Sequence, residues 1–127
     1  MKLLSIALSA LIAGVGLVSF NAGAADVPVK TVAVIYKDKA ALAGKTVGAQ
    51  GKVVKVNNGI MGRNFVHVQD GTGDAKASTN NLVVTSKQTA AVGDKVSISG
   101  TVVLDRDFGS GYSYPLLIED ATITVKK

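Results

Sequence analysis

Between Asn64 and Asp74 the chain reads NFVHVQDGTGD, and few folds accommodate such a run. Side chains of a strand alternate between its two faces, so the residues from Ile60 to Gln69 separate by parity. Ile60, Gly62, Asn64, Val66 and Val68 fall on one side and end in two valines suited to a core. Met61, Arg63, Phe65, His67 and Gln69 fall on the other. That second face carries a thioether, a guanidinium, an aromatic ring, an imidazole and an amide, all groups able to grip a ligand. Asp70-Gly71-Thr72-Gly73 follows, residues that tolerate positive φ and predict a tight reversal into the next strand.

The flanking sequence is β-rich in the same manner. GKTVGAQGKVVKV at 44–56 is echoed by GDKVSISGTVVLD at 93–105. Each copy opens on a glycine, places another glycine seven residues on, and follows it with two valines. Glycine inside a strand permits a bulge or sharp coiling, so Gly51 and Gly100 are expected where two strands bend to close a small sheet. Two copies are too few for a repeat protein. Residues 75–85, with Leu82-Val83-Val84, are expected to pair with the 64–69 strand. A last strand over 114–125 is expected to kink near Glu119-Asp120. Ser86 to Val92 leaves room for one helical turn. Before all of these, Thr31 to Leu42 mixes strand and helix periodicities; Thr31 as N-cap and Ala43-Gly44 as a stop favour a short helix. Five strands of this order and spacing predict an all-β, five-stranded barrel with a short N-terminal helix.

The first residues predict export. Lys2 precedes a nearly unbroken apolar run from Leu3 to Phe20, and Ala22-Gly23-Ala24 is a small-residue cleavage site. The expected division is a signal peptide over 1–24, a leader and short helix over 25–43, and the barrel over 44–127. Removing the signal leaves roughly 100 residues, one domain with one core, and no membrane span. Lys2 leaves with it, so 13 basic residues then face 9 acidic ones, a mild excess compatible with acidic partners. No cysteine is present, which rules out disulfides, thiolate metal sites and lipid attachment at a cleavage-point cysteine.

The strand that opens on an aromatic and ends in Asp-Gly-x-Gly resembles the second strand of the oligonucleotide/oligosaccharide-binding (OB) fold. GIMGRNFVHVQDGTGD together with LDRDFGSGYSYPLLIEDA is similar to a family of small exported bacterial OB proteins. Some members are encoded beside the periplasmic cytochrome nitrite reductase and named its accessory protein J; others are labelled DNA-binding. Where many relatives carry tryptophan, this chain has Phe65. The resemblance implies an OB barrel in the periplasm. In OB domains that bind nucleic acid, the residue matching Phe65 often stacks on a base, with the positions of His67 and Gln69 beside it.

The expected ligand surface joins the connection 57–63, the face of Phe65, His67 and Gln69, and the connection 105–112. Phe108, Tyr112 and Tyr114 would converge there with Phe65, four of the chain's six aromatics. Arg63 and Arg106, the only arginines, sit in the two connections and offer bidentate forks for an anion. The lysines are spread along the chain. Nothing assembles a catalytic centre: one histidine, one glutamate and no cysteine are present, and no glycine-rich phosphate loop opens a helix. No enzyme and no cofactor are expected. Three functions remain: a non-catalytic module holding an exported protein partner or an anionic ligand, a single-stranded nucleic-acid binder, and a copper-handling accessory protein using Met61 and His67 as soft and imidazole ligands.

Overall fold

The computed structural model describes residues 27–109 and 111–126. The expected signal peptide lies outside them. Among the described residues no helix is long and apolar enough to cross a membrane.

Two short helices, α1 (Val32–Lys37) and α2 (Lys39–Leu42), precede five strands: β1 (Thr46–Ile60), β2 (Arg63–Gln69), β3 (Leu82–Ser86), β4 (Lys95–Asp107) and β5 (Ser113–Val125). The strands close into a barrel in the order β1-β2-β3-β5-β4. All pairs are antiparallel except β3 with β5. This is the OB barrel that the sequence predicts.

Strand parity holds where burial enforces it. Val66 and Val68 enter the barrel core with Val47, Ala49, Val53, Val84, Val96 and Ile98. The parity does not extend back to Ile60. Met61 (φ 53°) and Gly62 (φ 77°) both lie at positive φ, the backbone of a two-residue hairpin turn. Ile60 therefore ends β1, pairs with Arg63 and packs outside the barrel beside Phe65.

The two internal glycines serve closure. A Cβ on Gly100 would stand 2.7 Å from Ile118 Cγ2 and 2.8 Å from the Glu119 carbonyl oxygen. Opposite it, β5 holds one extra residue, because Ser99 pairs with Thr122 and Thr101 with Glu119. Asp120 within that bulge has φ 52°, which places the expected kink. Gly51 is equally confined, its Cβ position 2.6 Å from the Gln69 carbonyl oxygen.

Two expectations about connections are corrected. Asp70 to Gly73 does not reverse directly into a strand: β3 starts at Leu82, and residues 75–81 form an exposed turn region organised by Asp74, whose carboxylate accepts from Lys76 N and whose backbone accepts from Thr79 N. No helical turn forms between Ser86 and Val92. The barrel is plugged instead by α1, whose Val32 and Ile35 are fully buried in the core.

Helix α1 is held by its own cap and by two residues from far along the chain. Thr31 Oγ1 accepts from Val34 N at 3.2 Å. Asp70 Oδ2 accepts from Val32 N and Thr72 Oγ1 accepts from Ala33 N, each at 2.9 Å. First-turn amides lack intrahelical partners, so Asp70-Gly71-Thr72 works as a second cap. The leader is fastened alongside: Gly48 N donates to the Pro28 carbonyl and Lys30 N to that of Gly48.

Candidate functional site

The expected face exists on the outside of the barrel where β2 begins, but its aromatics have built a second, smaller core. Phe65 is fully buried there with Val83 and Leu117, and Ile60, Val103, Phe108 and Tyr114 pack against them. Its ring meets Phe108 edge-on with centroids 5.4 Å apart, and lies 5.8 Å from Tyr112 and 5.7 Å from Tyr114. Stacking on a base requires an open ring face, and Phe65 has none. The β4–β5 connection folds over β2 as a cover, its turn closed by Phe108 N on the Tyr112 carbonyl.

What this cover offers to solvent is a charged rim. Arg63 Nη1 lies 3.6 Å from Glu119 Oε1, and Arg106 Nε lies 3.4 Å from Glu119 Oε2. The two guanidiniums also stand 5.0 and 4.6 Å from the centroid of Phe108, within range of a cation–π attraction. One carboxylate thus serves two arginines. Arg63 Nη1 is buried without a hydrogen-bond acceptor, because 3.6 Å is too long for one. The Arg106 side chain is 44% exposed. The reachable donor for an anionic group is therefore the Arg106 guanidinium, which Asp105 and Asp107 flank in sequence. Sequence reasoning placed both arginines here but overlooked Glu119, although it is the chain's only glutamate.

The other expected residues separate. Gln69 Nε2 donates to Asn81 Oδ1 at 3.4 Å, and Asn81 Nδ2 lies 3.0 Å from His67 Nδ1. With Asn81 oriented by Gln69, its amide donates and His67 Nδ1 accepts. His67 Nε2 then carries the proton, buried and unpaired. Burial, then the nearby Lys55 charge, pushes the imidazole below its ordinary value. Nδ1 is thus engaged within the protein, and Nε2 is closed off from solvent. Met61 is exposed at the hairpin tip, while His67 lies mid-strand opposite Val83. The geometry does not unite them as copper ligands. Among the described residues no three His, Cys, Asp or Glu side chains gather as a metal site.

Tyr112 and Tyr114 remain partly exposed at the cover's edge. Burial, then neighbouring Tyr112, raises the Tyr114 phenol above its ordinary value, so it is uncharged at neutral pH. Arg63, Arg106, Phe108, Tyr112 and Tyr114 therefore border one surface, with Met61 exposed at the hairpin tip that leads into β2; His67 and Gln69 belong to a separate polar chain, and Phe65 lies beneath.

No family model matches this sequence, and no curated protein matches it. Solved structures do share the fold. A chain assigned as an aspartyl-tRNA synthetase from Leishmania major Friedlin superposes with a TM-score of 0.52 at 13% identity, covering 80% of this chain and 21% of that one. An asparaginyl-tRNA synthetase from Entamoeba histolytica, in complex with asparaginyl-adenylate, gives 0.52 at 14% identity, covering 80% and 24%. The chain thus spans less than a quarter of either synthetase, and the likeness is one of fold: this chain is an OB-fold barrel.

Proposed function

We propose that this chain is a non-catalytic binding module of the bacterial periplasm, an accessory protein that holds an exported partner or an anionic ligand. Its service would be to the maturation of exported redox enzymes. The observation that carries the binding role is the Arg63–Glu119–Arg106 cluster, in which two guanidiniums share one carboxylate and the Arg106 side chain is left 44% exposed. A partner carboxylate or phosphate would complete that arrangement with charge-assisted hydrogen bonds. The export reading of the first 24 residues supports the compartment, and the absence of a catalytic constellation in the sequence supports the non-catalytic role.

The test compares proteins captured from a periplasmic extract by the wild type and by an Arg63→Gln/Arg106→Gln variant. The reading requires a specific captured protein that the variant loses. Identical capture by both would remove the arginine cluster from the site. Phe65→Ala is unsuitable as a probe, because it would excavate the packing under the surface.

The fold likeness to two synthetases named for tRNA, with Tyr112 and Tyr114 open at the edge, favours single-stranded nucleic acid as the second reading. Base stacking on aromatic rings is worth about 1–3 kcal/mol per base, yet Phe65 is unavailable for it. Titration with labelled oligothymidylate at low salt separates the readings. Saturable binding abolished by Tyr112→Ala would favour nucleic acid.

A further inference from the structure

Away from the arginine cluster, the barrel carries a second charged surface. Lys52 of β1 and Lys95 of β4 are direct cross-strand partners, and Lys52 is paired on its other side with Gln69 of β2. Lys126 N donates to the Lys95 carbonyl one residue beyond the Val96–Val125 pair, extending the same row toward the end of β5. Three ammonium groups therefore follow one another across adjacent strands, about 5 Å apart at their backbones. Like charges directly opposite on a sheet are destabilising, and among the described residues none of these three lysines makes an ion pair. Among the described residues both ion pairs run to Glu119, on the arginine surface.

These lysines border an open groove of about 1000 Å³, with Lys30 of the leader on another side. Among the described residues Asp70 is the one carboxylate lining the groove, and it caps α1. The groove also carries Val29, 62% exposed, and Val54, 38% exposed. Gln50, another lining residue, already receives Lys126 Nζ at 3.2 Å. Among the described residues no aromatic ring lines it. The result is a cationic rim around aliphatic surface.

We propose that this groove binds an extended acidic peptide segment of a protein partner, with carboxylates on the lysine row and aliphatic side chains on Val29 and Val54. The assignment rests on the partner-holding reading above and names the chemistry of a second contact. Lysines supply charge without the planar fork that selects phosphate bidentately, and without aromatics the groove gives bases nothing to stack on. A local violation of sheet design, with no ion pair to these lysines among the described residues, is what a ligand site leaves in the unliganded protein.

The experiment is a fluorescence-anisotropy titration of the purified protein with a labelled peptide of alternating glutamate and valine. A glutamate–serine peptide and oligothymidylate are the competing probes. Saturable binding is expected for glutamate–valine, weaker binding for glutamate–serine. Lys52→Gln/Lys95→Gln should weaken it on the order of tenfold, each exposed ion pair contributing a few-fold. Lys76→Gln/Lys87→Gln, which removes the same charge elsewhere, should leave it unchanged. The proposal is overturned if the peptide fails to saturate, if both lysine pairs weaken it equally, or if oligothymidylate binds more tightly. Failure here with retained, arginine-dependent capture of a partner would refute the groove alone; loss of that capture would refute the broader reading.

Discussion

Phe65 and Phe108, 43 positions apart in sequence, meet edge to face at 5.4 Å, and this contact joins the first turn-side residues of β2 to the connection that covers it. Edge-to-face rings gain about 0.5–1.5 kcal/mol beyond their buried area. Phe65→Ala should therefore cost about 3–5 kcal/mol, the range for removing a buried phenylalanine. Urea unfolding would report it. A loss below about 1 kcal/mol would mean that the ring is not the floor of this small core.

Asp70→Ala should cost about 0.5–2 kcal/mol, as loss of a helix cap does, because Val32 N would lose its acceptor. Burial pushes the Asp70 carboxyl upward, but hydrogen bonds from Thr72 and the Val32 amide outweigh it, so the group sits below its ordinary value of 3.8. A depressed carboxyl contributes stability that is present above the unfolded value and disappears as pH falls through the folded one. Acid titration of stability should steepen below about pH 4 in the wild type and flatten there in Asp70→Asn.

His67 predicts a separate window. Its imidazole is held below its ordinary value of 6.5, so below that pH the unfolded chain binds the proton more readily. The stabilising effect of a neutral His67 is complete above about pH 6.5 and is lost as pH falls toward the folded value. His67→Gln should remove the slope that begins below about pH 6.5 while leaving that of Asp70. Melting temperatures measured across both windows would separate the two residues.

Gly100→Ala should destabilise by about 1–3 kcal/mol, the usual cost of forcing a methyl into packed space. The new Cβ would confront Ile118 Cγ2 and the Glu119 backbone at once. Gly109, with open space around its Cβ position but φ 85°, offers a contrast. Gly109→Ala meets no atoms and should lose only the cost of the left-handed backbone, about 1–2 kcal/mol. Equal cavity-free behaviour of the two variants under thermal denaturation, with no shift in either, would contradict the closure role of Gly100.

The barrel was legible because strand burial repeats every two residues. Val66 and Val68 must face inward together, and Gly51 and Gly100 mark the corners where backbones approach too closely for a side chain. Thr31 likewise announced a helix start. The covering of Phe65 was not legible in this way: parity says which face a residue takes, and a second layer depends on how a distant connection folds. Phe108 and Tyr114 were placed nearby, yet nothing local required them to seal Phe65. Asp70-Gly71-Thr72 misled for a related reason. Its residue types suit turns and caps alike, and the amides that claimed it belong to residues 32 and 33. The lysine row was hidden by register, since Lys52, Lys95 and Lys126 become neighbours only after three strands align.

The side chains that fasten α1 lie 38 and 39 positions downstream of the amides they receive. During synthesis the stopper of the barrel is thus made before the vessel and before its own latch. Six residues of helix have little standing alone in water, so this segment must wait until the end of β2 arrives. The earliest part of the described chain is then the part whose ordering depends on what comes later, and assembly of the whole becomes a single late commitment.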